Sequence, residues 1–175
     1  MSIITPQARF PYPVTTVTTG FGAPYGILYD GTHIWVTEVF AGTLLKLDAA
    51  GAILQTVTVG SLPGFPACDG TNIWVPNEAS NSVTVFQASS GNVVATITSD
   101  PSNQLNGPSG ASFDGERVLV TNQSGSTVTV FSAADLSSSA NVTMGSTTDP
   151  YGACSDGINF WVALRGASTG NLLRF

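Results

Sequence analysis

Oxygen-bearing side chains at one position of a repeated pattern are the residues of this chain best suited to chemistry. Glu38, Asn77 and Asn122 each follow a short apolar run, and Glu78 and Gln123 come directly after the last two. Carboxylate and amide oxygens bind divalent cations and accept hydrogen bonds from polar ligands. Either role requires a fold that brings these side chains to one place.

Histidine chemistry is not expected. His33 is the only histidine of the chain, and it follows an Asp-Gly pair that predicts a turn. General-base catalysis through histidine and serine hydrolysis both need such a side chain in the site itself. The sequence therefore predicts no catalytic residue.

The composition limits the partners of the chain. It has 175 residues, of which 42% are hydrophobic, and this suits one folded domain over residues 1–175. Only five residues are Lys or Arg, and the net charge is -6. Because phosphate binding needs clustered basic side chains, we expect neither nucleic acid nor an anionic membrane as a partner.

The ends and the cysteines of the chain carry no special signal. There is no basic segment followed by an apolar one, and no run of about 20 apolar residues. We therefore expect a soluble chain without a signal peptide or transmembrane segment, and the compartment stays unassigned. Cys68 and Cys154 lack metal-ligand spacing, so we expect two buried free thiols rather than a disulfide.

Four copies of one segment organise the sequence. Each copy begins with Pro and ends with Asp-Gly, and a short apolar run follows two residues later. In three of the copies this run contains a Trp at the same position: Trp35, Trp74 and Trp161. The turn pairs are Asp30 and Gly31, Asp69 and Gly70, Asp114 and Gly115, and Asp156 and Gly157.

The repeats predict an all-β fold. A period of about 40 residues with four short β-rich segments is typical of a β-propeller. The last repeat has three such segments, and an N-terminal one matches the missing fourth. The sequence thus predicts four blades of four antiparallel strands, with the N-terminal strand completing the last blade. The repeats lie at residues 24–60, 63–100, 108–145, and 150–175 plus 14–20, after a tail of residues 1–13.

These residues also resemble a known repeat. "NIWVPNEASNSVTVFQASSGNVVATI", from Asn72 to Ile97, closely resembles the repeat of YVTN-type β-propellers, and "VLVTNQSGSTVTVF", from Val118 to Phe131, is similar. The first and fourth repeats look more like NHL and virginiamycin-B-lyase-like propellers. The resemblance specifies a fold, and it leaves the activity open because such repeats occur in proteins of many functions.

The resemblance also implies a possible metal site. In gluconolactonase-like propellers, oxygen ligands from several blades converge on a divalent cation near the axis. The resemblance therefore implies that Glu38, Asn77 and Asn122 are candidate ligands for calcium or magnesium in this chain. Against it, the fourth blade has Leu164 at that position, and Asn belongs to the YVTN pattern, where it can close a local turn. The main expectation is therefore no cofactor.

The Asp-Gly pairs and the tryptophans have structural explanations. Asp-Gly supplies the positive φ and the side-chain hydrogen bond of a tight turn. A large aromatic side chain at one blade position, as in Trp74, indicates packing between blades rather than a sugar-stacking platform. We expect both features to serve the fold.

The loops at one rim of a propeller are where a pocket is expected, since a rigid scaffold holds them. Tyr25 and Tyr151 lie in the segments that lead into inner strands, and Arg165 lies in a loop after a second strand. The rim candidates are Tyr25, Glu38, Asn77, Glu78, Asn122, Gln123, Tyr151 and Arg165.

Three functional hypotheses follow. The first is a non-catalytic binding or structural module whose rim engages a protein or, as a lectin, a glycan. The second is a metal-dependent lactonase or lyase that uses Glu38, Asn77 and Asn122, with Glu78 as a further candidate. The third is one part of a larger propeller. The ring is either a four-bladed monomer or an eight-bladed homodimer with exchanged N-terminal strands, and the usual ring size of this repeat favours the dimer.

Overall fold

Strands alone build the described part of the chain. The structure, a computed structural model, describes residues 15–145, 148–166 and 170–175. These residues form antiparallel strands in four separate sheets and contain no helix, so none that is long and apolar enough to cross a membrane. The prediction of an all-β propeller with four blades is confirmed.

The first two blades have four strands each, paired in chain order. The first blade consists of β1 (Pro24–Tyr29), β2 (Ile34–Glu38), β3 (Thr43–Leu47) and β4 (Ile53–Thr58). The second consists of β5 (Ala67–Cys68), β6 (Asn72–Asn77), β7 (Ser82–Gln87) and β8 (Val93–Thr98).

The third blade repeats this order, and the fourth has three strands in the described part of the chain. The first strands of consecutive blades contact one another, which places them innermost. The third blade consists of β9 (Pro108–Phe113), β10 (Arg117–Asn122), β11 (Thr127–Ser132) and β12 (Ser138–Thr143). The fourth consists of β13 (Pro150–Ser155), β14 (Phe160–Leu164) and β15 (Asn171–Arg174).

Apolar clusters between consecutive blades form the core. Trp35 of the first blade packs on Phe86 of the second, with ring centroids 5.3 Å apart. Trp74 packs on Phe131 of the third blade in the same way, at 5.8 Å. These four rings are fully buried. Leu119 replaces the Trp in the third blade and joins a cluster with the fourth. Each of the first three blades thus buries one apolar face against the next one.

The blades form an arc that is open between the fourth and the first. A side-chain carbon at Gly110 in the third blade would lie 2.7 Å from the Tyr151 carbonyl oxygen in the fourth, whereas one at the equivalent Gly152 meets nothing within 4 Å. Among the described residues, no interface like those between consecutive blades joins the fourth blade to the first. The fourth blade therefore has one uncovered face.

The N-terminal segment does not complete the fourth blade within one chain. Residues 15–20 form no strand, and residue 14 lies outside the described residues. Val17 instead approaches Gly51 at the β3–β4 turn, as Gln55 of β4 approaches Gly91 at the β7–β8 turn. The segment occupies the place of an outer strand before the first blade. Among the described residues, the predicted pairing of this segment with the last blade is not formed.

The two cysteines are unpaired, as expected. Cys68 is half-buried between the first and second blades, but Cys154 is exposed rather than buried. Cys154 lies on the inner strand β13, two residues after Gly152, and so belongs to the uncovered face of the fourth blade. Its exposure has the same cause as the open space at Gly152.

Candidate functional site

A row of aromatic side chains crosses the rim where the inner strands begin. The ring centroids of Tyr25 and Phe65 are 4.8 Å apart, and those of Phe65 and Tyr151 are 5.7 Å apart. Phe65 belongs to the second blade and Tyr151 to the fourth. The carbonyl of Ser109 in the intervening blade accepts a hydrogen bond from the Phe65 N–H. The structure thus brings two of the predicted rim residues into one row.

Arg165 extends this row. Its guanidinium carbon lies 4.2 Å from the ring centroid of Tyr151, and its Nε donates to Asp149 Oδ2 at 3.1 Å. We call Tyr25, Phe65, Tyr151 and Arg165 the aromatic rim. Exposed aromatic faces beside a cation are suited to stacking against a flat or ring-shaped ligand. Asp149 is a member of this site that sequence reasoning missed.

Glu38 ends β2 and is almost fully buried, with 3% of its surface exposed. Its Oε2 accepts hydrogen bonds from the Gly22 N–H at 2.9 Å and the Ala23 N–H at 2.6 Å. These donors belong to the segment that leads into β1. The carboxylate therefore fixes the path of that segment, while its Oε1 is buried without a hydrogen bond.

Asn77 has the equivalent role in the second blade. Its Oδ1 accepts a hydrogen bond from the Gly60 N–H at 2.9 Å, in the segment that leads towards β5. Its Nδ2 donates to Ser82 Oγ at 3.2 Å and Thr84 Oγ1 at 3.0 Å on β7. The amide thus ties the second strand to the third strand and to the incoming loop.

Asn122 repeats half of this arrangement in the third blade. Its Nδ2 donates to Thr127 Oγ1 and Thr129 Oγ1 on β11, at 3.1 and 2.9 Å. Its Oδ1 is buried and has no hydrogen-bond partner. Sequence spacing gave no sign that this amide differs from Asn77, because the difference comes from the incoming loop.

The three candidate metal ligands, Glu38, Asn77 and Asn122, differ in whether an oxygen is left without a hydrogen bond. The two oxygens left free belong to the first and third blades, and the amide oxygen of Asn77 between them is engaged by a backbone N–H. Ca²⁺ and Mg²⁺ need several oxygens on one centre, usually with more than one carboxylate. Within the described ranges, no group of three or more His, Cys, Asp or Glu side chains is placed to hold a metal ion.

Glu78 and Gln123 follow these asparagines on the same rim and are half-buried. The Glu78 N–H donates to the Leu62 carbonyl at 3.0 Å, and the Gln123 N–H donates to the Gly107 carbonyl at 2.8 Å. The Glu78 backbone therefore anchors the loop that leads into β5, as Asn77 does, and the Gln123 backbone anchors the loop that leads into β9. The aromatic rim and this set of polar residues are two separate groups on one rim.

A hydrogen bond that sequence analysis did not predict joins the Asp-Gly turns to the inter-blade tryptophans. One oxygen of each Asp accepts two backbone N–H groups of the turn, and the other accepts the indole N–H. The constant spacing of five residues from Asp to Trp was the available signal. The indole pairs are Asp30 with Trp35 and Asp69 with Trp74, both at 2.7 Å, and Asp156 with Trp161 at 3.0 Å.

The third blade keeps the turn and replaces the indole. Leu119 stands at the Trp position, and Arg117 Nη2 lies 2.7 Å from Asp114 Oδ2. Gly31 and Gly70 have φ of 97° and 95°, in the region that only glycine adopts easily. The Asp-Gly pairs thus act as turns that also orient the side chain packed between blades.

Hydrogen bonds at three of these turns lower the pKa of the carboxyl, at Asp30, Asp114 and Asp156. For Asp156 the largest cause is the backbone N–H of Asn159, followed by the indole of Trp161. For Asp30 burial acts to raise the pKa, but the hydrogen bonds from His33 N–H and Trp35 outweigh it. These carboxylates therefore stay ionised and hold the turns through their hydrogen bonds. His33 lies at this turn, at the opposite end of β1 from Tyr25.

Comparison with known proteins identifies the fold of this chain. No family model and no curated protein sequence matches the chain. A streptogramin B lyase matches with a TM-score of 0.72 and 19% identity over 94% of this chain and 57% of its own. The virginiamycin B lyase of Staphylococcus aureus matches at 0.71 and 18%, over 87% of this chain and 55% of its own. The WD40 repeats of RRP9 match at 0.70 and 16%, over 87% and 51%.

The matched proteins have the same fold, although their names differ. The chain spans about half the length of the solved structures that it matches. Identities of this size carry the fold and no activity. The likeness to these solved structures shows that the chain has a β-propeller fold.

Proposed function

We propose that this chain is a non-catalytic β-propeller module of YVTN/NHL-type repeats that two copies close into an eight-bladed ring, with the aromatic rim as its binding surface. The observation that carries the proposal is the mismatch between the two ends of the arc. The fourth blade has no outer strand beyond β15 in the described part of the chain. At the other end, residues 15–20 lie where an outer strand precedes the first blade.

The end of the arc at the first blade carries an outer segment, and the end at the fourth blade lacks an outer strand. A two-fold axis between two copies places residues 15–20 of each chain beside β15 of its partner. This arrangement completes both end blades and leaves no sheet edge exposed. It also uses the same contact twice, as a symmetric dimer requires.

The end faces carry apolar side chains that other blades bury. Trp161 is half-buried, whereas Trp35 and Trp74 are fully buried. Leu172 on the same face is 63% exposed, and at the other end Ile27 is 71% exposed. Exposed apolar faces of this kind mark sites of association. In the proposed two-copy ring, the exposed faces of the first and fourth blades would both be covered by the second copy.

The rim contacts favour binding over catalysis. The carboxylate of Glu38 and the amide of Asn77 already hold backbone loops, so they are structural in the proposed module. His33 lies at the far end of β1. We therefore propose that the module needs no cation, and we place the metal-dependent lactonase or lyase second.

A glycan is the ligand that the aromatic rim supports best, with a protein partner as the alternative. Tyr25 is 44% exposed and lies in contact with Phe65, so the row presents aromatic faces to solvent. Sugar rings stack on such faces through their C–H groups. Arg165 and Asp149 offer a donor and an acceptor for sugar hydroxyls beside the rings.

Solution mass tests the ring. One chain has a mass of 18.0 kDa, and the proposed ring has twice that mass in light scattering. Trp161→Asp, at the end face, is expected to return the protein to the single-chain mass. Tyr25→Ala, on the rim, serves as the matched control and should leave the mass unchanged. A wild-type mass of 18.0 kDa at high concentration would contradict closure by a second copy and favour further blades in a longer chain.

Glycan binding is tested separately on an array of immobilised oligosaccharides. Tyr151→Ala and Arg165→Ala should lose the signal of the wild-type protein, while Trp161→Asp should keep it at the level expected for a single copy. Binding that survives both rim substitutions would contradict the assignment of the aromatic rim.

A further inference from the structure

A groove lies between the first and second blades on the side of the Asp-Gly turns. Its volume is about 490 Å³, and Asp30, His33, Lys46, Cys68 and Thr71 are among its lining residues. The turns lie at the opposite end of β1 from Tyr25. The groove is therefore separate from the aromatic rim, and inferences about it do not depend on the proposed function.

Two positions of the repeat create this groove. Cys68 stands where the third blade has Phe113, whose ring packs against the cluster between the second and third blades. Lys46 stands where the second and third blades have Val85 and Val130. A small side chain in place of a ring leaves space, and an ammonium group in place of a methyl group adds a positive charge to it. The next two pairs of consecutive blades lack this combination, because Val85 is followed by Phe113 and Val130 by Ser155.

The charge of Lys46 is buried and has no carboxylate partner. The residue is 8% exposed, and its Nζ donates to the Ala88 carbonyl at 3.0 Å and lies 5.1 Å from the ring centroid of Trp35. An ammonium has three N–H donors, of which Ala88 uses one. In the described ranges, no Asp or Glu oxygen lies within 4.0 Å of it. Burial of a cation is unfavourable until negative charge compensates it.

The only acid in the lining is already engaged. Asp30 Oδ1 accepts hydrogen bonds from the N–H groups of Thr32 and His33, and its Oδ2 accepts the indole N–H of Trp35. Its three donors fix it in the turn, so it stays out of contact with Lys46. The free donors of the ammonium therefore line the groove without a partner from the described part of the chain.

We propose that this groove binds a small oxyanion, a carboxylate or phosphate group, through the ammonium of Lys46. The hydroxyls of Thr32, Thr71 and Ser89 and the imidazole of His33 line the same groove and can donate to the remaining oxygens. A carboxylate would come from an acidic side chain or a small organic acid. A phosphate would come from inorganic phosphate or a phosphate ester.

Titration followed by ¹H–¹⁵N correlation spectra tests the proposal with sodium acetate and sodium phosphate as probes, at constant ionic strength set with sodium chloride. We expect saturable shifts confined to the amides of Gly70, Thr71, Ala88 and Ser89. The probe that saturates at the lower concentration identifies the group. Absence of saturable shifts with both probes would overturn the proposal, as would equal shifts with sodium chloride.

Variants separate this site from general charge effects. Lys46→Met keeps a long side chain on Trp35 and removes the charge, so the affinity for the probe should fall at least about tenfold. Cys68→Phe fills the groove as Phe113 fills its equivalent, and it should abolish the shifts with Lys46 intact. Arg174→Met is the matched control, because Arg174 is the exposed cation at the same repeat position in the fourth blade. Its spectra should titrate as those of the wild type.

The spectra also report folding, since loss of peak dispersion would identify an unfolded variant. If Lys46→Met fails to fold, Cys68→Phe still tests the groove. Saturable shifts that persist in a folded variant of either kind would overturn the assignment to this groove.

Discussion

The second and fourth blades carry the same pattern in different surroundings. Trp74 is fully buried against Phe131, whereas Trp161 is half-buried and faces no following blade in the described structure. Their turns are nevertheless alike, because Asp69 and Asp156 each accept a hydrogen bond from the indole. The repeat itself determines the turn and the orientation of the Trp. The neighbouring blade determines how much that Trp contributes to stability.

This difference makes the chain a row of units whose stability is the sum of local and interface terms. An inner blade has both neighbours, and an end blade has one. Equivalent substitutions in the two kinds of blade should therefore have unequal effects, and matched pairs of variants measure the interface directly.

The largest contrast is expected for the tryptophans. Trp74→Ala removes a fully buried ring and should lower the free energy of unfolding by about 3–5 kcal/mol. Trp161→Ala removes a half-buried ring, so its cost for the single chain should be well under half of that. Urea unfolding at low protein concentration measures both. Equal losses would show that the fourth blade is covered as fully as the second.

A smaller contrast is expected for the inner-strand glycines. Gly110→Ala places a carbon 2.7 Å from the Tyr151 carbonyl oxygen, and relief of that contact should cost about 1–3 kcal/mol. Gly152→Ala meets nothing within 4 Å and should change the thermal midpoint of the single chain by very little. A destabilising Gly152→Ala would mean that another surface lies against the fourth blade.

A still smaller effect is expected from acid at the turn of the fourth blade. The hydrogen bonds of Asp156 lower its pKa in the folded state, whereas an unfolded Asp titrates at about 3.9. Between the lowered pKa of the folded state and the pKa of the unfolded state, the unfolded state binds more protons. The stability that the carboxylate contributes is therefore present above about pH 4 and is lost as the pH falls. Asp156→Asn should flatten the decline of the urea midpoint with acid. An unchanged slope would contradict this role.

The smallest effect is expected from divalent cations. Because Glu38 and Asn77 hold backbone N–H groups, titration with calcium or magnesium chloride should give no heat of binding and no shift of the thermal midpoint. Saturable heat that disappears in Glu38→Gln would contradict a structural role and revive the metal-dependent alternative. Glu78→Gln is the control on the same rim.

Much of the fold was predictable because each repeat carries its own local signals. The Asp-Gly pairs at Asp30 and Asp69 mark turns between adjacent strands, and the apolar runs around Trp35 and Trp74 mark strands covered on both faces. These features depend on neighbours in the sequence. The four-bladed all-β architecture followed from their period.

The candidate site was predicted less well, because its contacts join segments that are distant in the sequence. The hydrogen bonds of Glu38 and Asn77 run to incoming loops, and spacing within a repeat does not specify their partners. The contact of Phe65 with Tyr151 joins the second blade to the fourth across the third. The opening between the first and fourth blades depends on the curvature of the arc. The number of residues in each repeat does not determine that curvature.

The separation of residues 15–20 from β15 has a consequence for how the molecule is made. All strand pairs within a blade join consecutive segments of chain, so the entropy lost in closing each hairpin is small. Blades can form one after another during synthesis. In the proposed ring, residues 15–20 are made before the four blades but pair with β15 of another chain. Ring closure is then a second-order reaction after translation, and its rate rises with protein concentration while the rate of blade formation does not.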